Sequence, residues 1–186
     1  MRVVIVGCGY VGSALAARAK ARRHDVWAVR RTSASAPAHG VHMVQADVRS
    51  GAGLEALPRD VDVVLYAVSP DGRSDEAYRA AYPEGVRTVI ERLTPRRFVL
   101  VSSTSVYGEI DGGWVDDATP SAPRSFTGEH IVAAEELARG ACAGAIVVRP
   151  SGIYGPGRVG LLQRVRSGQA ESPERLVRLG RDFDVL

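Results

Sequence analysis

The amino-acid sequence predicts an α/β fold, in which a doubly wound, mostly parallel sheet carries helices on both faces. Short apolar, β-branched runs recur between longer helix-like stretches, and this alternation is typical of successive βαβ units. The runs are apolar throughout rather than at every second position, as expected of strands that are covered on both faces. A chain of 186 residues is long enough for one domain with a real core.

The individual elements follow from apolar periodicity and from the residues that interrupt it. Strands are predicted at residues 2–6, 25–30, 41–45, 61–68, 98–102 and 145–149. Helices are predicted at residues 11–21, 74–93 and 128–139. Pro83 is expected to break or kink the second helix, because proline lacks the N–H that a helix interior needs. The Ser-, Ala- and Pro-rich residues 32–39 are predicted to form a loop.

Charge and cysteine content exclude several classes of function. The 24 basic and 21 acidic residues leave a net charge of only +3 without a basic arm, so no nucleic-acid partner is expected. Cys8 and Cys142 belong to no CxxC or Cys/His pattern, so no metal site is predicted and a reduced, cytoplasmic protein is the simpler interpretation. No apolar stretch is long enough for a membrane span, so no membrane association is expected.

A glycine-rich turn separates the first predicted strand from the first helix. Residues 7–12 read GCGYVG, a GxGxxG pattern that follows a buried strand and opens a helix. Gly7 permits the tight turn, Gly9 lets backbone N–H groups approach a pyrophosphate, and Gly12 allows close helix–strand packing. In this context the motif predicts a Rossmann fold that binds NAD(P), with a turn that binds nothing as the alternative. The predicted phosphate-binding residues are Gly7, Gly9, Tyr10, Val11 and Gly12.

The end of the second strand bears on the choice of dinucleotide. A carboxylate there would bind the ribose hydroxyls of NAD, whereas an arginine would accommodate the 2′-phosphate of NADP. The strand ends in Arg30 and Arg31 with no carboxylate, which favours NADP over NAD, and solvated arginines are the alternative. After the third strand, Asp47 and the neighbouring Val48 are candidates for the adenine contact, although Asp47 is equally suited to capping a turn.

Two later motifs resemble one family. Residues 102–108 read SSTSVYG and match the SSxxVYG signature of extended short-chain dehydrogenase/reductases. Residues 149–157 read RPSGIYGPG and resemble the RPxxIYGPG loop of the same proteins. With the glycine motif, three motifs stand in the family's order. Residues 1–158 therefore resemble the extended or atypical short-chain dehydrogenase/reductases of the NAD-dependent epimerase/dehydratase superfamily.

The resemblance implies roles for particular residues. Ser103 matches the catalytic serine, whose hydroxyl bonds the substrate oxygen beside the nicotinamide, whereas turn or capping chemistry is the alternative for Ser102 and Ser103. Tyr107 matches a tyrosine that packs the turn and is also, with Tyr82 or a water, a candidate proton relay. The remaining candidate cofactor contacts are Ala67, Val68, Ser69, Ser102, Pro150, Gly152 and Ile153.

The sequence departs from the family at the YxxxK pair, in which a tyrosine exchanges a proton and a lysine lowers its pKa. Alignment places Thr127 at the tyrosine and Ile131 at the lysine, and neither side chain can do that work. A shift of one residue substitutes Phe126 and His130, and His130 is either an acid or base or a solvated helical histidine. Thr127-Gly128 followed by an Ala- and Glu-rich helix resembles the atypical members of the superfamily, which keep the cofactor fold but lack this tyrosine.

The C-terminal part is short by comparison with the family. Extended members continue into a substrate-binding region, whereas residues 159–186 predict only a short helical remnant, with helices through residues 161–165 and 173–179. A truncated or frame-altered product is therefore expected. The function predicted is an NAD(P)-dependent oxidoreductase or epimerase-like enzyme that acts on a carbonyl or nucleotide-sugar-type substrate. A catalytically weak sensor or scaffold is the alternative, and a homodimer is possible by analogy alone.

Overall fold

A computed structural model of the chain describes residues 1–32, 35–168 and 176–179. The strands of the main sheet are β1 (Arg2–Val6), β2 (Asp25–Arg30), β3 (His42–Gln45), β4 (Asp60–Tyr66), β5 (Thr94–Val101) and β7 (Ile146–Val148). A second sheet pairs β6 (Asp111–Val115) with β8 (Leu176–Leu179). The α-helices are α1 (Tyr10–Ala21), α2 (Asp75–Arg79), α3 (Gly85–Arg92), α4 (Phe126–Ala141) and α5 (Gly160–Arg166).

The main sheet has the strand order β3-β2-β1-β4-β5-β7, and all of its strand pairs are parallel. The chain moves outward from β1 to β3 and then returns to β4 on the other side of β1. Such a reversal of strand order opens a crevice at the carboxyl ends of the strands, which is where ligands bind in this class of fold. The predicted doubly wound α/β Rossmann fold is confirmed.

The central strand shows why its sequence is apolar at every position. Val4 and Val6 belong to a core on one face of the sheet, whereas Val3 and Ile5 belong to a second core on the other face. Helices α3 and α4 supply side chains to the first core, and α1 supplies Ala16 to the second. Both faces of β1 are therefore covered, which an alternating sequence could not satisfy.

The predicted helix at residues 74–93 is interrupted at Pro83, as expected. Helix α2 passes into a five-residue π-helical turn, Ala80–Glu84, before α3 begins. Because proline has no N–H to donate, the turn widens, and the Gly85 N–H bonds the Ala80 carbonyl five residues back. The buried Tyr66 hydroxyl donates to the Ala81 carbonyl at 2.6 Å and so ties the turn to β4.

Several boundaries differ from the sequence predictions. Strand β4 ends at Tyr66, so that Ala67 and Val68 begin the following loop, and β5 starts four residues earlier than predicted. The helix predicted at residues 161–165 is present as α5. The helix predicted at residues 173–179 is wrong over its described part, because 176–179 form β8, while 173–175 lie outside the described residues. Four residues are too few for periodicity to distinguish helix from strand, and pairing with β6 decides the outcome.

Candidate functional site

The crevice at the strand reversal contains a cavity of about 340 Å³, called here the strand-end cavity. It lies where β1, β2 and β4 end, so it coincides with the position expected for a dinucleotide in this fold. The predicted cofactor residues that line it are Gly7, Gly9, Arg30, Arg31, Val48, Ala67, Val68 and Ser69. The lining residues that sequence reasoning did not select as contacts are Val6, Cys8, Val29, Thr32, Ala46, Pro70 and Asp71.

Two of the three glycines of the turn are required by the fold, whereas the third is not. Gly7 has a φ of +90°, and a β-carbon there would lie 2.5 Å from the Ala67 carbonyl oxygen. A β-carbon at Gly12 would lie 2.3 Å from the Gly7 carbonyl oxygen, so Gly12 is needed for packing of α1 on the turn. A β-carbon at Gly9 would have no atom of the described chain within 4 Å. The fold itself therefore leaves open the space that a side chain at Gly9 would occupy.

The N terminus of α1 presents backbone donors beside this open space. The first intrahelical bond runs from the Ser13 N–H to the Gly9 carbonyl at 2.9 Å, so the N–H groups of Tyr10, Val11 and Gly12 precede the hydrogen-bonded ladder. Within the described chain no side chain caps this end, and its first turn carries no acidic residue. Unpaired N–H groups and the positive end of the helix dipole together favour an anion here.

Two arginines, the last residue of β2 and the residue after it, lie at one side of the cavity. Arg30 is exposed and makes no ion pair with any residue that the structure describes. Arg31 forms a two-pronged ion pair with Asp71, which lies in the loop after β4, and its hydrogen bonds lower the pKa of the Asp71 carboxyl. Asp47 accepts a hydrogen bond from the Arg49 N–H at 2.9 Å. The turn-capping alternative for Asp47 is therefore observed, and the same residue lines a small space that adjoins the cavity.

The serine turn, residues 102–106, lies at the end of β5. Ser103 Oγ accepts a hydrogen bond from the Ser105 N–H at 3.2 Å, so the serine caps a short 3₁₀ turn. Its half-buried hydroxyl retains its own proton as a donor. Ser102 is buried and its hydroxyl donates to Glu135 at 2.6 Å, so that hydroxyl contributes to the packing of the turn.

A buried ion cluster links the serine turn to α4 and to the end of β7. Glu135 is fully buried and accepts hydrogen bonds from Arg149 at 2.6 and 2.9 Å and from the half-exposed Arg139 at 3.0 Å. Burial raises the pKa of Glu135, but the bonds from Arg149 and Ser102 and the two arginine charges outweigh it, so the net pKa lies below the ordinary value. These contacts hold the ends of two parallel strands in register with α4.

The two tyrosines that the sequence offers as proton relays are both engaged in packing. The ring of Tyr107 lies 4.9 Å from the Arg149 guanidinium, and its hydroxyl donates to the Asp116 carbonyl at 2.9 Å. Tyr107 therefore packs the turn, as the resemblance implies. Tyr82 is buried in the π-helical turn, and burial raises its pKa to about 12, which keeps the phenol protonated near neutral pH.

Helix α4 provides no tyrosine–lysine pair in either alignment. Thr127 and Ile131 are both buried, and Ile131 belongs to the main core. Phe126 packs edge-on against Tyr78. His130 Nε2 and Asp75 Oδ1 are hydrogen-bonded at 2.9 Å, across the contact between α4 and α2. Asp75 is the first residue of α2, so this contact does not lie at the strand ends where the cavity is found.

The loop after β7 closes over the start of α1. The Pro150 carbonyl accepts the Thr104 N–H at 3.2 Å, and the Arg158 guanidinium lies 5.6 Å from the centre of the Tyr10 ring. Gly152 and Ile153 line a second cavity of about 750 Å³ together with residues of α5. This loop therefore joins the serine turn, the glycine turn and α5.

No helix among the described residues is long and apolar enough to cross a bilayer. Within the same residues, no group of three His, Cys, Asp or Glu side chains is arranged to hold a metal ion.

Strand order and glycine turn together define a Rossmann fold that carries the GxGxxG turn typical of dinucleotide-binding proteins. The model of the NAD dependent epimerase/dehydratase family matches residues 3–176, and the chain belongs to that family. No curated protein matched the sequence.

Solved structures share the fold. A candidate NAD-dependent epimerase/dehydratase from Methylobacillus flagellatus is 30% identical, with a TM-score of 0.76 over 92% of this chain and 61% of that one. A UDP-glucuronic acid 4-epimerase from Bacillus cereus, in complex with NAD, is 19% identical, with a TM-score of 0.71 over 91% of this chain and 64% of that one. The second likeness shows the fold alone. The chain spans less than two thirds of the length of both proteins.

Proposed function

We propose that the chain binds NAD(P)(H) in the strand-end cavity and acts as an oxidoreductase or epimerase-like protein on a carbonyl or nucleotide-sugar-type substrate. The observation that carries this proposal is the open space at Gly9, which lies on the cavity beside N–H groups that have no partner among the described residues. A β-carbon would enter that space without contacting the described chain, so the fold does not fill it and a ligand in the cavity could approach the backbone there. When bound, the nicotinamide supplies the hydride chemistry.

The chain's own residues would divide the binding work between them. The N–H groups of Tyr10, Val11 and Gly12 would hold the diphosphate, because they precede the helical hydrogen bonds, have no partner in the described part of the chain and lie at the positive end of α1. Apolar walls around Val48 and Val68 would exclude water from the adenosine side. At the other side, the loop of Pro150, Gly152 and Ile153 would cover the nicotinamide.

Ser103 is proposed to donate its hydroxyl proton to the substrate oxygen. Its oxygen already accepts the Ser105 N–H, which fixes the side chain and leaves the O–H as the free donor. A donor fixed before substrate binds loses little freedom on binding, so it can stabilise developing charge on that oxygen. Tyr107 is proposed to support the turn rather than to transfer a proton, because its hydroxyl is bonded to Asp116.

NADP is proposed as the preferred dinucleotide. Arg30 supports this, since it is exposed at the cavity and has no ion-pair partner in the described part of the chain. Arg31 supports it less directly, because its guanidinium is bound to Asp71.

A binding protein with little catalysis, such as a sensor or scaffold, is the second candidate. One observation favours it: Thr127 and Ile131, which the sequence alignment places at the family's tyrosine and lysine, are both buried, and Ile131 belongs to the main core. Residues 1–158 would be the dinucleotide domain in either case, and residues 159–186 would belong to a substrate-binding region.

Calorimetric titration with NADPH and NADH, followed by turnover of a panel of carbonyl and nucleotide-sugar substrates, separates the two candidates. The enzyme proposal expects micromolar or tighter binding and turnover that Ser103→Ala lowers, while Ser105→Ala, at a neighbouring half-buried serine, lowers it less. Tight binding without turnover of any substrate would favour the sensor or scaffold. Binding of neither dinucleotide would contradict both.

A further inference from the structure

The ion pair between Arg31 and Asp71 spans the strand-end cavity. Arg31 follows β2 and Asp71 lies in the loop after β4, 40 residues further along the chain. Because β1 lies between β2 and β4 in the sheet, the pair reaches across the strand that carries the glycine turn. Both residues line the cavity, and each oxygen of the carboxylate accepts from a different terminal nitrogen of the guanidinium.

Asp71 places a carboxylate beside the end of β2, where the sequence itself has two arginines and no carboxylate. A carboxylate near the adenosine ribose accepts hydrogen bonds from its hydroxyls, whereas a free guanidinium binds a 2′-phosphate. We propose that Asp71 is a specificity-determining residue for the dinucleotide, and that its carboxylate competes with the 2′-phosphate of NADP for Arg31. This inference rests on the proposed binding of a dinucleotide in the same cavity.

Asp71 and the 2′-phosphate of NADP would compete for the same two N–H groups of the Arg31 guanidinium. A guanidinium binds a carboxylate and a phosphate through the same parallel pair of N–H groups, so both anions cannot occupy that edge of Arg31 together. NADP must therefore displace Asp71 or rely on Arg30, and the displaced carboxylate also repels the phosphate. NAD carries no 2′-phosphate, and its ribose hydroxyls can donate to Asp71 while the pair stays intact.

The inference is tested by titrating NADP⁺ and NAD⁺ into the wild type and into Asp71→Asn, and by comparing the ratios of their dissociation constants. Asp71→Asn removes the charge at constant shape, and we expect it to shift the ratio toward NADP by about tenfold or more, which is the effect of about 1.4 kcal/mol. The NAD affinity is not expected to rise. The matched control is Glu76→Gln, which removes a nearby exposed carboxylate that pairs with Arg49 at 3.9 Å and does not line the cavity.

A second variant keeps the test decisive if Asp71→Asn does not fold. Arg31→Gln is expected to weaken NADP more than NAD. In that background Asp71→Asn is expected to shift the ratio toward NADP by less than it does in the wild type, because it then relieves only the repulsion of the phosphate and frees no guanidinium. An unchanged ratio in Asp71→Asn, or an equal shift in Glu76→Gln, would overturn the inference while leaving dinucleotide binding intact. Binding of neither dinucleotide by the wild type or the variants would contradict the proposed function and the inference together.

Discussion

Replacing Glu135 with glutamine removes the negative charge at the centre of the buried ion cluster and keeps the shape of the side chain. Glu135 is fully buried, and the Arg149 side chain is only 12% exposed, so the variant leaves a nearly buried guanidinium without its carboxylate. Ser102 keeps an acceptor in the glutamine oxygen, but the bond loses its ionic character. The main cost therefore comes from the unpaired charge of Arg149.

The size of this cost follows from the burial of both partners. Removing one member of a buried ion pair costs about 3–5 kcal/mol, because the remaining charge stays desolvated without compensation. A domain is stable by about 5–15 kcal/mol in total, so Glu135→Gln is expected to remove a large share of the unfolding free energy. The exposed arm of the cluster, Arg139, adds little, since half of its side chain is in water.

Urea denaturation of purified wild type, Glu135→Gln and Glu136→Gln measures the effect. Glu136 is the next residue of α4 and is exposed, so its substitution controls for the loss of one charge and is expected to change stability by about 0.5 kcal/mol or less. A Glu135→Gln variant within about 1 kcal/mol of the wild type would refute the argument that Glu135 balances a desolvated Arg149.

Two further predictions concern the same region. Because the pKa of Glu135 is lowered in the folded state, the ionised carboxylate stabilises the fold above the unfolded pKa of about 4.3, and this stabilisation is lost as pH falls through the folded pKa. The difference in unfolding free energy between wild type and Glu135→Gln should therefore be full at pH 7 and shrink below about pH 4. A difference that grows in acid would contradict this prediction. Tyr107→Phe deletes the hydrogen bond to Asp116 but keeps the ring against Arg149. It should lower the unfolding free energy measured in urea by about 1 kcal/mol and leave the dinucleotide affinity unchanged. A loss of affinity at unchanged stability would instead indicate that Tyr107 acts directly at the site.

Local signals in the sequence are sufficient for the parts of the fold that depend on neighbouring residues. The unbroken apolar run of β1 predicts a strand covered on both faces, and Val3 and Val4 do enter opposite cores. The spacing of Gly7, Gly9 and Gly12 predicts the turn, because the positive φ of Gly7 and the close approach of Gly12 to the Gly7 carbonyl are both constraints within that short segment. Pro83 predicts the interruption of the helix for the same kind of local reason.

Contacts between distant residues could not be predicted in this way. Asp71 looks like an ordinary loop carboxylate until the sheet order brings it across β1 to Arg31, 40 residues earlier. Strand β6 contains two glycines, which are poor strand residues, and it exists through its pairing with β8. Glu135 and Arg149 meet only when α4 packs on the end of β7.

The central claim is that backbone donors beside Gly9 hold a dinucleotide, and calorimetric titration of NADPH into the wild type and Gly9→Ala tests it most directly. The added methyl group meets no atom of the described chain, so thermal stability should be kept while affinity falls by about tenfold or more, equivalent to about 1.4 kcal/mol. Gly140→Ala, which also adds a methyl group in open space but on α4, should leave the affinity unchanged. Equal affinity in Gly9→Ala and the wild type, or no affinity in the wild type, would contradict the account.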